Sequence, residues 1–146
     1  MFKKIVWATD GSEDADRALV LVSQLASEGG GEVLVVHCRE LTLPGKAGGR
    51  QTLAANEPEL EKKIEGQVAE LCGGGVSATL RVETTSVGGA AHVIGDLASE
   101  DHADLIVVGT RGRTALVGLL LGSVTQRLLH IAACPVLSVP ARRDHG

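Results

Sequence analysis

Residues 105–140 read LIVVGTRGRTALVGLLLGSVTQRLLHIAACPVLSVP, and the order of residue types along them decides the fold. Leu105 to Val108 are uniformly apolar, as a parallel strand buried on both faces requires. Glycines follow at Gly109, Gly112 and Gly122, separated by two and then nine residues, and Ser123 comes next. From Val124 the apolar residues recur at Leu128, Ile131 and Ala132, the helical period. Strand, glycine-rich loop and helix is the arrangement in which backbone N–H groups at a helix start cradle a phosphate.

The charge distribution agrees. Between Asp104 and Asp144 there is no Asp or Glu, whereas Arg111, Arg113, Arg127, Arg142 and Arg143 fall in that window of a chain whose net charge is −4. The first helix is the internal control. Ser12 reads as its N-cap and is followed by Glu13, Asp14 and Asp16, carboxylates worth ~0.3–1 kcal/mol each at a positive helix end. One helix start is neutralised by the protein itself; the other is left open to an anion.

Outward from this stretch, the chain alternates strands and helices. KIVWAT (4–9) is an apolar run that holds Trp7, expected to be buried, and Asp10-Gly11-Ser12 turns into a helix with Ala15, Ala18, Leu19, Val22, Leu25 and Ala26 on its apolar face. EVLVVHC (32–38) is a second continuous run, so the two strands and their helix form a right-handed βαβ unit in a parallel sheet. Residues 39–55 have no period and read as a long surface loop, a length usually reserved for functional or disordered segments. Asn56, with Glu59 three residues on, signals the cap of a helix carrying Leu60, Ile64, Val68 and Leu71. Residues 76–85 alternate apolar and polar, which suits an edge strand with one wet face. A helix from Ala90 to Glu100 precedes the central strand, with Ile94, Leu97 and Ala98 inward. The last strand, 135–139, opens with Pro135 and is followed by Pro140, again an edge. The expectation is an α/β fold: an open, doubly wound sheet of five parallel strands with helices on both faces, in one domain over 1–146.

Glycine spacing, the flanking strands IVWATDGS (5–12) and DLIVVGTRGR (104–113), and the closing CPVLSVP (134–140) together resemble the ATP-binding members of the universal stress protein family. The likeness runs end to end, with only residues 39–55 lacking a family-like pattern. It implies strand order 3-2-1-4-5, with a crevice between strands one and four where the order reverses, the place where such sheets bind ligands. It also implies an ATP site. Ala8, Thr9 and Cys38 would line the adenine pocket, Asp10 would orient the turn or contact ribose and base, Ser123, Val124 and Thr125 would contact the phosphates, and Val108, Gly109, Gly112 and Gly122 would complete the binding site. Mg2+ would be held through those phosphates. Arg111 and Arg113 are loop cations able to pair with phosphate oxygens or to remain solvated. For Gly109 and Gly112 the alternatives are positive φ with close ligand approach, or a plain tight turn. Ser123 with Gln126 three residues later also fits a capping box. The resemblance further implies a homodimer through strand 135–139.

Other functions lose support. The chain lacks a Walker GxxxxGK[ST], a GxGxxG after strand one, and a GxSxG, and residues 64–146 contain no Lys for receiver-type phosphotransfer. Net charge and the scarcity of aromatics, Phe2 and Trp7 alone, disfavour nucleic acid. No run of eighteen apolar residues and no secretory leader is visible, so a cytoplasmic location is expected. Cys38, Cys72 and Cys134 lack ligand or disulfide spacing and read as free buried thiols. The expected function is an ATP-binding, nucleotide-responsive stress regulator. The alternatives are a dimeric scaffold that binds no nucleotide, or a slow ATPase, whose turnover would be weak without a positioned general base.

Overall fold

The computed structural model describes residues 2–41, 56–110 and 122–140. In chain order the elements are β1 (Lys4–Ala8), α1 (Glu13–Gly29), β2 (Glu32–Leu41), α2 (Glu57–Gly73), β3 (Ser77–Ser86), α3 (Ala90–Glu100), β4 (Leu105–Gly109), α4 (Ser123–Ile131) and β5 (Val136–Val139). They form one five-stranded sheet of order β3-β2-β1-β4-β5. All four strand pairs are parallel.

Side-chain alternation splits the core into two layers. On one face Ile5, Trp7, Val33, Val35, Leu105 and Val107 pack against α1 and α2 through residues such as Ala18, Val22, Ile64 and Leu71. Trp7 is wholly buried, and its Nε1–H donates to the Ala15 carbonyl at 3.2 Å. On the other face Val6, Ala8, Val36, Ile106 and Val108 pack against α3 and against Leu128 of α4. Each fully buried Val, Leu or Ile contributes ~1.5–3 kcal/mol relative to exposure, so continuous apolar runs in β1 and β4 follow directly from coverage on both faces.

The edge assignments hold. In β3, Ala78 and Leu80 pack on the α1/α2 layer while Ser77, Thr79, Arg81 and Glu83 take the opposite side, the alternation of a half-covered edge. β2 is longer than the expected 32–38. Its ladder with β3 continues to Leu41↔Ser86, whereas β1 pairs with it only as far as Ala8↔Val36, so β2 and β3 run on past the carboxyl end of β1.

At the amino end, Asp104 fastens β4 to β1. Its Oδ2 accepts the Lys3 and Lys4 N–H groups at 2.8 Å each, and its own N–H donates to the Lys4 carbonyl. Those two donors, Lys4 first, hold the carboxyl below its usual range. Among the described residues no helix is long and apolar enough to cross a membrane.

Three local expectations are corrected. Asn56 precedes α2 but makes no capping hydrogen bond with its side chain. Cys72 is exposed in the last turn of α2, and Cys38 and Cys134 are only partly buried, Cys38 because it lies beyond the end of β1 and Cys134 because it leads into the edge strand β5. Ile131 is 39% exposed, since α4 ends there and the buried positions of the helix are Thr125 and Leu128.

Candidate functional site

β1 is the strand where the sheet order reverses, flanked by β2 and β4, so the crevice opens beyond Ala8 and Gly109. Thr9 is fastened there by both backbone groups: its N–H donates to Val36 O at 2.9 Å, and its carbonyl accepts from His37 Nδ1 at 3.0 Å. Asp10 Oδ1 accepts the Ser12 N–H at 3.0 Å, an Asx turn, and Thr9 Oγ1 accepts the Gly11 N–H at 3.1 Å. Gly11 has φ +81°, and a Cβ there would lie 2.5 Å from Leu60 Cδ2. Asp10 thus orients the turn, one of the two roles foreseen for it.

Across the crevice the ends of the glycine-rich loop are brought together. Thr110 N–H donates to Val139 O at 2.9 Å, Gly122 N–H to Thr110 O at 2.8 Å, and Thr125 Oγ1 to Gly109 O at 2.9 Å. The chain therefore leaves β4 and re-enters at α4 at a single point. Residues 111–121 lie outside the described residues, and with them Arg111, Gly112 and Arg113.

Two assignments change. Gly109 does not take a positive φ; a Cβ there would lie 2.6 Å from Asp14 Cβ and 2.8 Å from the Asp14 backbone carbon, so glycine is required by the approach of α1. The cap of α4 is Gly122 rather than Ser123, and no side chain caps it. The first helical bond runs from Gln126 N–H to Gly122 O, which places Ser123 inside the first turn and dissolves the expected capping box. The N–H groups of Ser123, Val124 and Thr125 lie ahead of that bond, where a helix offers its own donors no acceptor.

The electrostatic contrast between the two helix starts is present. Ser12 Oγ accepts the Ala15 N–H at 3.3 Å, and Glu13, Asp14 and Asp16 occupy the first turn of α1. The first turn of α4 has no acidic residue. The remaining predicted residues share one layer: Ala8 and Val108 are buried in the α3/α4 cluster, with Cys38 and Val124 packed on its margin. Burial, then the carboxylates of Glu40 and Glu83, pushes the Cys38 thiol up to about 12, so it stays a neutral, apolar wall. An open depression of about 430 Å³ lined by Gly30, Gly31, Glu32, Gly74, Gly75 and Ser77 lies at the amino ends of β2 and β3, the wrong end of the sheet for this chemistry.

Sequence reasoning missed His37 and Glu57. His37 Nε2 lies 2.9 Å from Glu57 Oε2, and both residues are buried. Nothing in the spacing foretells that pairing, because residues 42–55 separate strand from helix. Lys63 adds a further brace, donating to Gly11 O at 2.9 Å and to Asp16 Oδ2 at 2.7 Å. The first turns of α2 thus grip the β1–α1 turn.

Comparison with known proteins agrees with this architecture. A universal stress protein of Thermus aquaticus is 37% identical over 141 residues, covering 95% of this chain and 99% of that one. MJ0577 of Methanocaldococcus jannaschii is 30% identical over 159 residues. Its solved structure superposes with a TM-score of 0.79 over 99% of both chains. A universal stress protein from Archaeoglobus fulgidus, solved in complex with dAMP, has a TM-score of 0.67 at 27% identity and covers 95% of this chain and 98% of its own. With residues 1–140 also matching the profile described as "Universal stress protein family", the chain belongs to that family.

Proposed function

We propose that this protein binds ATP in the crevice at the carboxyl ends of β1 and β4 and acts as a nucleotide-responsive regulator. One observation carries the reading: α4 begins beside the end of β4 with no acidic residue and no side-chain cap, whereas α1 neutralises its own start with Ser12 and three carboxylates. A phosphate at α4 meets oriented backbone donors and no carboxylate in the first turn of that helix. Ser123, Val124 and Thr125 would supply those donors, with Gly112, Arg111 and Arg113 in the preceding loop, while Ala8, Thr9, Cys38 and Val108 would bound the adenine and Asp10 the ribose. The dAMP complex of the Archaeoglobus fulgidus relative supports an adenine nucleotide as the ligand class.

Among the described residues no group of three His, Cys, Asp or Glu side chains is placed to hold a metal, so Mg2+ would arrive on the phosphates. The reading also includes a cytoplasmic homodimer paired through β5.

Isothermal titration of the wild type and Gly122→Glu with ATP, ADP and AMP tests it. The variant places a carboxylate at the open helix start and should lose ATP binding while its circular dichroism and melting curve stay those of the wild type. A wild type that binds none of the three would leave the dimeric, ligand-free scaffold as the better reading.

A further inference from the structure

We propose that His37 and Glu57 are positioning residues of the nucleotide site, acting through the Thr9 carbonyl; this rests on the nucleotide reading above. The geometry fixes how the imidazole is used. A carbonyl oxygen only accepts, so Nδ1, 3.0 Å from Thr9 O, carries a hydrogen. The 2.9 Å approach of Nε2 to Glu57 Oε2 then requires one more proton between those two atoms, on either side. The Thr9 carbonyl thereby excludes the other neutral tautomer, in which Nδ1 would turn a lone pair towards it, while Glu57 holds the ring at its other nitrogen.

What is held is the peptide that leads into the site. Thr9 N–H is taken by Val36 and its carbonyl by His37, successive residues of β2, so the peptide planes on either side of Thr9 are set from the same strand. The next residue is Asp10. Leu60 beneath Gly11 and Lys63 on its carbonyl come from the same first two turns of α2 as Glu57, so α2 holds the whole β1–α1 turn. His37 is 1% and Glu57 5% exposed, which leaves neither side chain room to touch a nucleotide directly. Their influence on a ligand runs through Thr9.

Two near-isosteric replacements separate the bonds. His37→Asn keeps a donor at the Nδ1 position and loses the link to Glu57; His37→Gln keeps a donor at the Nε2 position and loses the link to Thr9. ATP affinity by calorimetry and stability by urea denaturation should therefore rank in opposite orders. His37→Asn should be the less stable, because it strands a buried carboxyl, yet lose less ATP affinity than His37→Gln, since its amide still donates to Thr9 O. His37→Gln should be the more stable of the two and bind about tenfold more weakly. A merely structural role would make affinity follow stability, and that ranking, or unchanged affinity in both variants while the wild type binds, overturns the proposal alone. A wild type that binds no adenine nucleotide overturns it together with the reading it rests on. Should neither variant fold, nitrogen-15 spectra of the wild-type histidines decide: a His37 Nδ1–H resonance that shifts on ATP addition is expected, and one that stays fixed at saturation refutes the coupling.

Discussion

Gly109 at the end of β4 and Asp14 in the first turn of α1 are packed so closely that a Cβ on the glycine would lie 2.6 Å from the Asp14 Cβ. The Asp14 carbonyl carbon and the Ala15 nitrogen would follow at 2.8 and 2.9 Å. Two of those three atoms are helix backbone, which cannot swing aside as a side-chain tip can.

Gly109→Ala should therefore displace the start of α1 and destabilise the protein by ~1–3 kcal/mol, the usual range for overpacking. Urea denaturation measures it. An alanine variant as stable as the wild type would return this glycine to the role of making room for a ligand.

This contact shows where sequence reading stops. The strands, the helices and the two edges were legible, because central parallel strands must be apolar on both faces and edge strands need not be. Strand order came from family likeness, since each βαβ crossover fits more than one neighbour. Gly109 and Gly122 could be picked out as important, but not why. A glycine that avoids a clash with a helix ninety-odd residues earlier looks the same in sequence as one that admits a phosphate. Ser123 was misjudged by one position because Gly122 takes the extended cap conformation, φ −69° and ψ 160°, and starts the helix itself. His37 and Glu57 left no trace, being joined only where α2 packs on β2.

The cysteines should separate by reactivity. Cys72 is exposed, whereas the Cys38 thiol is pushed up to about 12 by burial first and then by Glu40 and Glu83. Since the thiolate is the nucleophile, iodoacetamide at pH 8 should label Cys72 well before Cys38. Peptide mass spectrometry over a time course reads the order. The same shift sets a stability slope: between 9.0 and about 12 the unfolded chain gives up the Cys38 proton and the folded chain keeps it. Stability must then fall as pH rises through that window, and Cys38→Ala should remove that component of the fall.

Asp104 governs the acid side with the opposite sign. Its folded carboxyl is held below the ordinary value by the Lys4 and Lys3 N–H groups, so the stabilisation is present above the unfolded value and is lost as pH falls through the folded one. Asp104→Asn keeps an acceptor oxygen but has no proton to take up. Thermal melts between about pH 2 and pH 6, a range that brackets carboxylate titration, should show a flatter acid limb for the variant. An identical limb would mean that other carboxylates dominate acid unfolding.

β5 is an edge, and the proposed dimer depends on what its outer side offers. Pro135 and Val139 turn their carbonyls inward, accepting from Ile106 and Thr110 of the neighbouring strand. In a strand the groups alternate, so the outward donors and acceptors belong to Val136 and Ser138. Val136 packs on the α3/α4 layer and Leu137 on the α1/α2 layer, so a lysine at either would injure the core as well as the edge. Val136→Pro is the cleaner change. It removes one outward N–H, leaves the inward carbonyls in place, and follows the rule that proline is accepted on edge strands. It also spares the contact between Ser138 Oγ and Thr110 Oγ1, 3.1 Å apart next to the glycine-rich loop. In sedimentation velocity the wild type should run as a dimer and Val136→Pro as a monomer, with ATP binding retained because the crevice lies between β1 and β4. A wild-type monomer at micromolar concentration, or a variant that still pairs, would show that β5 is not the interface.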